Sequence, residues 1–163
     1  GVTTYHHNLE SSRRFYPNVC TSHTYNDRIN TIKNAKAVGL NVCSGGIFGL
    51  GETIEDRIDM ALDLRVLEIH SVPINVLTPI PGTPFENNEE VNPFEILKTI
   101  SIYRFILPKS FLRYCGGRIK LGEQVKIGLR CGINSALTGN FLTTTGTTIE
   151  TDKKMIKELG YEI

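Results

Sequence analysis

Short β-like runs and helical patterns alternate along the chain. Residues 2–7 read as a strand entering a polar loop at 8–22. A helix opens at Asn26 or Asp27, with Ile29, Ile32, Ala35 and Val38 near one face, and stops at Gly39, which suits the left-handed turn after a helix. Residues 40–43 form a strand stopped by Ser44-Gly45-Gly46. Thr53 caps the next helix, which runs to about Leu67. Asp56 stands where the acid of a capping box belongs, and Ile58, Ala61, Leu62 and Leu64 supply the buried stripe. Residues 71–77 alternate as a strand, and Pro79, Pro81, Gly82 and Pro84 mark a rigid loop. Pro93 falls in the first turn of a helix reaching Phe105, where its missing N–H is harmless. A strand at 110–115, a helix at 123–130, an extended segment at 135–142 and a helix at 148–159 close the series.

This alternation implies βαβ units, an α/β fold and a parallel sheet. Polar or Gly-rich residues follow the strand ends: His7-Asn8, Cys43-Ser44-Gly45, Asn75, Arg113 and Thr143-Thr144. In a β/α barrel that end carries function. A whole barrel takes about 250 residues, so four or five units read as half of a (β/α)8 TIM-type barrel. A small open α/β sheet is the competing reading.

The 163 residues carry a net charge of +1 and are 40% hydrophobic, enough for one core. Near-neutral charge argues against nucleic acid or a membrane surface as the main partner. No apolar run reaches the roughly 18 residues that span a bilayer, and no signal-peptide pattern opens the chain, so a cytoplasmic setting is expected (mitochondrial for a eukaryotic source). The chain begins at Gly1 inside a strand-like run, which reads as a fragment or a trimmed chain. Cys20, Cys43, Cys115 and Cys131 form no Cys-x-x-Cys pair, so neither a zinc ribbon nor a thioredoxin motif is supported. Free thiols or metal ligands are expected rather than disulfides, with burial as a small hydrophobe the plain alternative for each.

The densest signal is Val42-Cys43-Ser44-Gly45-Gly46-Ile47-Phe48-Gly49-Leu50-Gly51-Glu52. A cysteine at a strand end can direct sulfur into a barrel, and the glycines let backbone approach a ligand. The segment lacks the Lys-Ser/Thr of a P-loop and the spacing of a dinucleotide fingerprint, and a purely structural turn fits it as well. Zinc at His6-His7 is disfavoured, because adjacent strand residues point to opposite faces.

Five stretches, in order, resemble the biotin synthase family of radical S-adenosylmethionine enzymes. They are Tyr5-His6-His7-Asn8-Leu9-Glu10-Ser11, the 42–52 segment, Ser71-Val72-Pro73-Ile74-Asn75, Arg113-Tyr114-Cys115-Gly116-Gly117-Arg118 and Gly139-Asn140-Phe141-Leu142-Thr143-Thr144. The resemblance implies the carboxyl-terminal half of the barrel, with 1–75 completing the radical core and 76–163 forming the biotin and thiamin synthesis associated region. It implies that Cys43 and Arg113 are ligands of an auxiliary 2Fe–2S cluster that donates sulfur. An arginine is a surprising ligand, since it stays protonated, and a rim ion pair is its plain alternative. Cys115, two residues on, is a rival ligand on the same strand face.

The same resemblance places His7, Asn8, Glu10 and Ile47 at S-adenosylmethionine, with Glu10 accepting from the ribose hydroxyls and Ile47 against adenine. Asn8 and Asn75 would hydrogen-bond the ureido ring of dethiobiotin, and Thr143 and Thr144 its carboxylate, although ordinary β-propensity also explains the two threonines. Glu10 replaces the more frequent Asp, Ser11 replaces Thr, and His6 departs from the pattern with its role open. The implied reaction uses a 4Fe–4S cluster to cleave S-adenosylmethionine reductively, followed by sulfur insertion into dethiobiotin. A flavodoxin or ferredoxin system and a full-length homodimer are the implied partners. The Cys-x-x-x-Cys-x-x-Cys loop for that 4Fe–4S cluster is not in these 163 residues, so the isolated chain is expected to be inactive. Two other readings stand beside this one: a sister radical enzyme of hydrogenase-maturation or thiazole-pathway type, and a non-catalytic ligand-binding module.

Overall fold

The computed structural model describes residues 1–140 and 146–163. Helix α1 (Tyr25–Ala37) is started by Thr24, whose side chain accepts from the Asp27 amide while the Asp27 carboxylate accepts from the Thr24 amide. This capping box satisfies two otherwise unpaired donors, so the helix begins ahead of the expected Asn26 or Asp27. Tyr25, Ile29, Ile32 and Ala35 are buried, but Val38 is 76% exposed, because the helix has wound past the sheet by its cap. Gly39 takes the expected positive φ, at 82°.

Helix α2 (Ile54–Val66) uses the same device through Thr53 and Asp56. Its buried stripe is Arg57, Met60, Ala61 and Leu64, a strict i, i+3, i+4, i+7 set. The expected Leu62 is exposed, roughly one residue's rotation (~100°) off that stripe. Helix α3 (Pro93–Ile106) is capped by the Asn92 side chain, which accepts from the Phe94 amide at 2.8 Å. Helix α4 (Val125–Cys131) starts two residues later than expected, after 3-10 turns over Arg118–Gln124. Helix α5 (Ile149–Glu158) is capped by Thr148.

Among the described residues, six short strands make one parallel sheet: β1 (Thr4–His6), β2 (Asn41–Cys43), β3 (Gly46–Phe48), β4 (Ser71–Val76), β5 (Phe111–Tyr114) and β6 (Ser135–Ala136). Their spatial order is β1-β2-β4-β5-β6, with β3 also on β4. β6 is much shorter than the expected 135–142 segment, whose last two residues lie outside the described residues.

Strand order follows chain order without reversal. Right-handed crossovers between successive parallel strands put their connecting helices on one face of the sheet, as in a barrel wall. An open doubly wound sheet would reverse its order and carry helices on both faces. The small open sheet is therefore set aside, and the architecture is that of part of a β/α barrel.

Ser44-Gly45 interrupts a strand rather than ending it, correcting the expected stop. Cys43 pairs with Ser71, and Gly46 with Ile74, at one unchanged register, so β2 and β3 follow a single course along β4. Gly45 is needed at the break, where a Cβ would lie 2.1 Å from the Pro73 carbonyl oxygen. Along β1 the register does slip. His6 pairs with Cys43, but Glu10 bridges to Gly46, which leaves one extra residue on the first strand. Such a bulge re-aims side chains, and Glu10 adopts φ 69° within it.

Candidate functional site

Alternation along the strands sorts their side chains into two sets. Val42, Phe48, Val72, Ile74, Val76, Leu112 and Tyr114 belong to the apolar core beneath the helices. The inner face, turned away from the helices, carries the candidate chemistry in layers. Register aligns His6, Cys43, Ser71 and Phe111 in one layer. Pro73, Arg113 and Ser135 form the next, with Gly45 against Pro73. Ile47 and Asn75 form a third.

Cys43 is buried, and its sulfur receives the Ser71 hydroxyl at 3.3 Å. Arg113 lies one layer on. Burial lowers the His6 pKa, and the Arg113 charge lowers it further, so the residue whose role was open shares this face with the two expected ligands. Burial pushes the Cys115 thiol up to about 11, against a downward pull from Arg113. Asn75 donates to the Gly46 carbonyl at 3.0 Å and accepts from the Gly116 amide at 3.1 Å. The amide thus ties β3 to the turn after β5, and keeps one donor and one lone pair for a ligand.

The bulge after β1 builds a second polar group. The Asn8 side chain accepts from the Gly45 amide at 3.0 Å and donates to Glu10 at 3.3 Å. Burial raises the Glu10 pKa, with Arg28 and the Asn8 hydrogen bond acting the other way. Arg28 donates to the Asn8 carbonyl at 3.1 Å and to the buried Tyr16 hydroxyl at 2.9 Å, and lies 4.0 Å from Glu10. Neither Arg28 nor Tyr16 stood out in the sequence. They meet Asn8 only through tertiary folding, and the one available signal was an arginine on the partly polar face of α1.

The turn after β3 has its own support. The Glu52 carboxylate accepts from the Gly49 and Leu50 amides and from Arg57 at 2.8 Å, all in buried surroundings. Arg57 lies over the Phe48 ring, 5.3 Å from its centroid. The 10–14 loop is held by Asp56, which accepts from Ser12 at 2.6 Å and pairs with Arg14. One carboxylate thus caps α2 and anchors the bulge loop.

These groups fit the cofactors that the resemblance implies. Buried thiols on a shared face are the soft donors an iron–sulfur cluster takes. Among the described residues no three His, Cys, Asp or Glu side chains gather closely enough to hold a metal ion, so Cys43 fits as one member of a larger ligand set. Near the bulge, His7 Nε2 and the hydroxyls of Ser11 and Ser44 are buried without a hydrogen-bond partner. Unsatisfied polar atoms beside Asn8, Glu10 and Arg28 suit a polar ligand. Thr143 and Thr144 lie outside the described residues.

A family model described as the Biotin and Thiamin Synthesis associated domain matches residues 73–162, and one described as the Radical SAM superfamily matches residues 1–64. The chain is 94% identical over all 163 residues to a biotin synthase of Fusobacterium nucleatum, covering 45% of that protein. It is 60% identical to one from Campylobacter hominis over 99% of this chain and 50% of the relative. A Clostridium botulinum biotin synthase is 56% identical over the whole chain and 51% of its own length. The chain therefore spans about half the length of the curated relatives it matches. The crystal structure of methylornithine synthase (PylB) superposes with a TM-score of 0.81 at 21% identity, over 99% of this chain and 52% of that one. HydG, a maturase of the FeFe-hydrogenase, gives 0.78 at 16% identity, over 99% and 40%. Those two likenesses speak to the fold alone. With its singly wound parallel sheet and these matches, the chain belongs to the Biotin and Thiamin Synthesis associated family, joined to a Radical SAM superfamily segment, and biotin synthases are its relatives along its whole length.

Proposed function

We propose that this chain forms the sulfur-donor and substrate side of an enzyme that inserts sulfur into dethiobiotin by radical chemistry. The observation that carries the reading is the stacking of Cys43, Arg113 and Asn75 in successive layers on one sheet face. That spacing sets a soft ligand, a cation and a neutral amide along one wall, so a sulfur-donating cluster and the ureido ring of a substrate can be held side by side. When bound, S-adenosylmethionine and the iron–sulfur groups supply the radical and the sulfur.

The chain's own residues bind and orient. Cys43 would hold an auxiliary 2Fe–2S cluster through its sulfur, with Arg113 beside it as ligand or counter-charge. Asn75 and Asn8 offer their remaining donors and acceptors to the ureido ring. Glu10, beside Arg28 and Asn8, would accept from two ribose hydroxyls through its carboxylate. Arg28, held by the Tyr16 hydroxyl, would offer a cation beside Glu10 to an anionic group of the cofactor. Ile47, level with Asn75, packs on adenine and excludes water. His7 lines that cofactor site, and Thr143 with Thr144 holds the substrate carboxylate. The 4Fe–4S loop belongs to the rest of the longer protein, as do the partners, a flavodoxin or ferredoxin reductant and a second copy. Residues 1–75 and 76–163 divide the chain between the radical core and the associated region.

The test supplies the remaining half. Full-length protein, or this chain co-expressed with the missing half, is assayed for S-adenosylmethionine-dependent conversion of dethiobiotin to biotin. Biotin formation is expected. No product from fully loaded protein would overturn the proposal.

A further inference from the structure

We propose that Cys115 is a second thiolate donor from this chain to the auxiliary iron–sulfur group, on its Asn75 side. The inference rests on the function proposed above and extends it to a residue outside the expected ligand pair.

The ladder continues past the end of β5. The Cys115 amide donates to the Ile74 carbonyl at 3.2 Å, and the Val76 amide donates to the Gly116 carbonyl at 2.9 Å. Alternation therefore still holds at Cys115 and turns it to the same side as Arg113, opposite Tyr114. Pro73 pairs with Arg113 and Ile74 with Tyr114, so the next step in register sets Cys115 level with Asn75.

Burial supports the same placement. Cys43 and Cys115 are 6% and 7% exposed, yet both lie outside the apolar core beneath the helices, which takes in their strand neighbours Val42 and Tyr114. The two thiols share the inner face with His6, Arg113 and Asn75. A cysteine acting only as a small hydrophobe belongs with the core. The turn beyond it is tightly fixed: Gly117 has φ 73°, and a Cβ there would lie 1.9 Å from the Val76 carbonyl oxygen. The Gly116 amide is held by Asn75 at 3.1 Å. The sulfur thus sits on rigid backbone, as a ligand should.

Chemistry separates Cys115 from Arg113. A guanidinium stays protonated and offers no lone pair, whereas a thiol that loses its proton to solvent offers a soft one. With Cys115 ligating, the Arg113 charge is free to balance the thiolate.

Full-length protein reconstituted anaerobically with iron and sulfide supplies the test. Cys115→Ser is expected to lose or shift the absorption and Mössbauer signature of the auxiliary group, with loss of its iron, while the radical cluster's spectrum is unchanged. In wild-type protein, a maleimide is expected to label Cys115 in the cluster-free form and not in the loaded form, which needs no variant to fold. An unchanged auxiliary spectrum in Cys115→Ser, or equal labelling in both forms, would overturn the inference and leave the proposed function standing. An auxiliary spectrum indifferent to Cys43→Ser would instead strike at the function itself.

Discussion

Glu52 and Glu90 both pair with a cation, and their surroundings separate them. The Glu52 carboxylate is 1% exposed, holds two backbone amides and faces Arg57 at 8%. Glu52→Ala leaves a buried guanidinium without its partner, and denaturant unfolding of the full-length protein is expected to register a loss of about 3–5 kcal/mol. Glu90 is 59% exposed beside Lys120, and Glu90→Ala is expected to change stability by less than about 1 kcal/mol. Titration distinguishes other residues. Hydrogen bonds from Ser22 and Tyr16 lower the Cys20 thiol to about 7, while burial raises Cys115 to about 11. At pH 7, iodoacetamide is expected to modify Cys20 well before Cys115, and Ser22→Ala is expected to slow that reaction, as read by peptide mapping. Burial raises Glu10, so acidification protonates it before an ordinary surface carboxylate. Affinity for S-adenosylmethionine is therefore expected to fall early on the acid side in wild type, and to lack that limb in Glu10→Gln, by equilibrium binding across pH.

Elements show what local sequence could and could not reveal. Thr53 and Asp56 announced the start of α2, because a capping box is written in four consecutive residues. Thr24 and Asp27 write the same box for α1, so that helix starts ahead of the Asn26 or Asp27 that its hydrophobic pattern suggests. Leu62 looked like core by hydrophobicity, yet the stripe through Met60 leaves it in water, a choice made by the sheet and not by the helix. The Gly45-Gly46 pair reads locally as a stop, but an unchanged register along β4 resumes the strand beyond it. Candidate ligands were legible because they cluster in short motifs at strand ends. Arg28 and Tyr16 were not, since they reach Asn8 across a loop and half a helix. Gly45→Ala tests the pinch. Its methyl meets backbone rather than a movable side chain, so β3 has to move off β4, and marked destabilisation with disturbed Cys43 and Asn75 geometry is expected by thermal melt and cluster spectroscopy.

At the scale of the whole molecule, the sheet of the described residues ends at β1 on one side and β6 on the other. Its inner face carries Cys43, Arg113, Asn75 and Cys115. Such a wall fits an enclosing partner wall, which agrees with relatives about twice its length. Unpaired strand edges and the inner wall invite association, so the chain expressed alone is expected to aggregate or melt at lower temperature than when co-expressed with the remaining portion of a full-length relative, by light scattering and calorimetry. The central claim is that this wall holds the sulfur-donating group. Its most direct test is biotin formation by full-length Cys43→Ala protein whose radical cluster is intact by spectroscopy. The account predicts continued reductive cleavage of S-adenosylmethionine and no biotin, and turnover to biotin at the wild-type rate would contradict it.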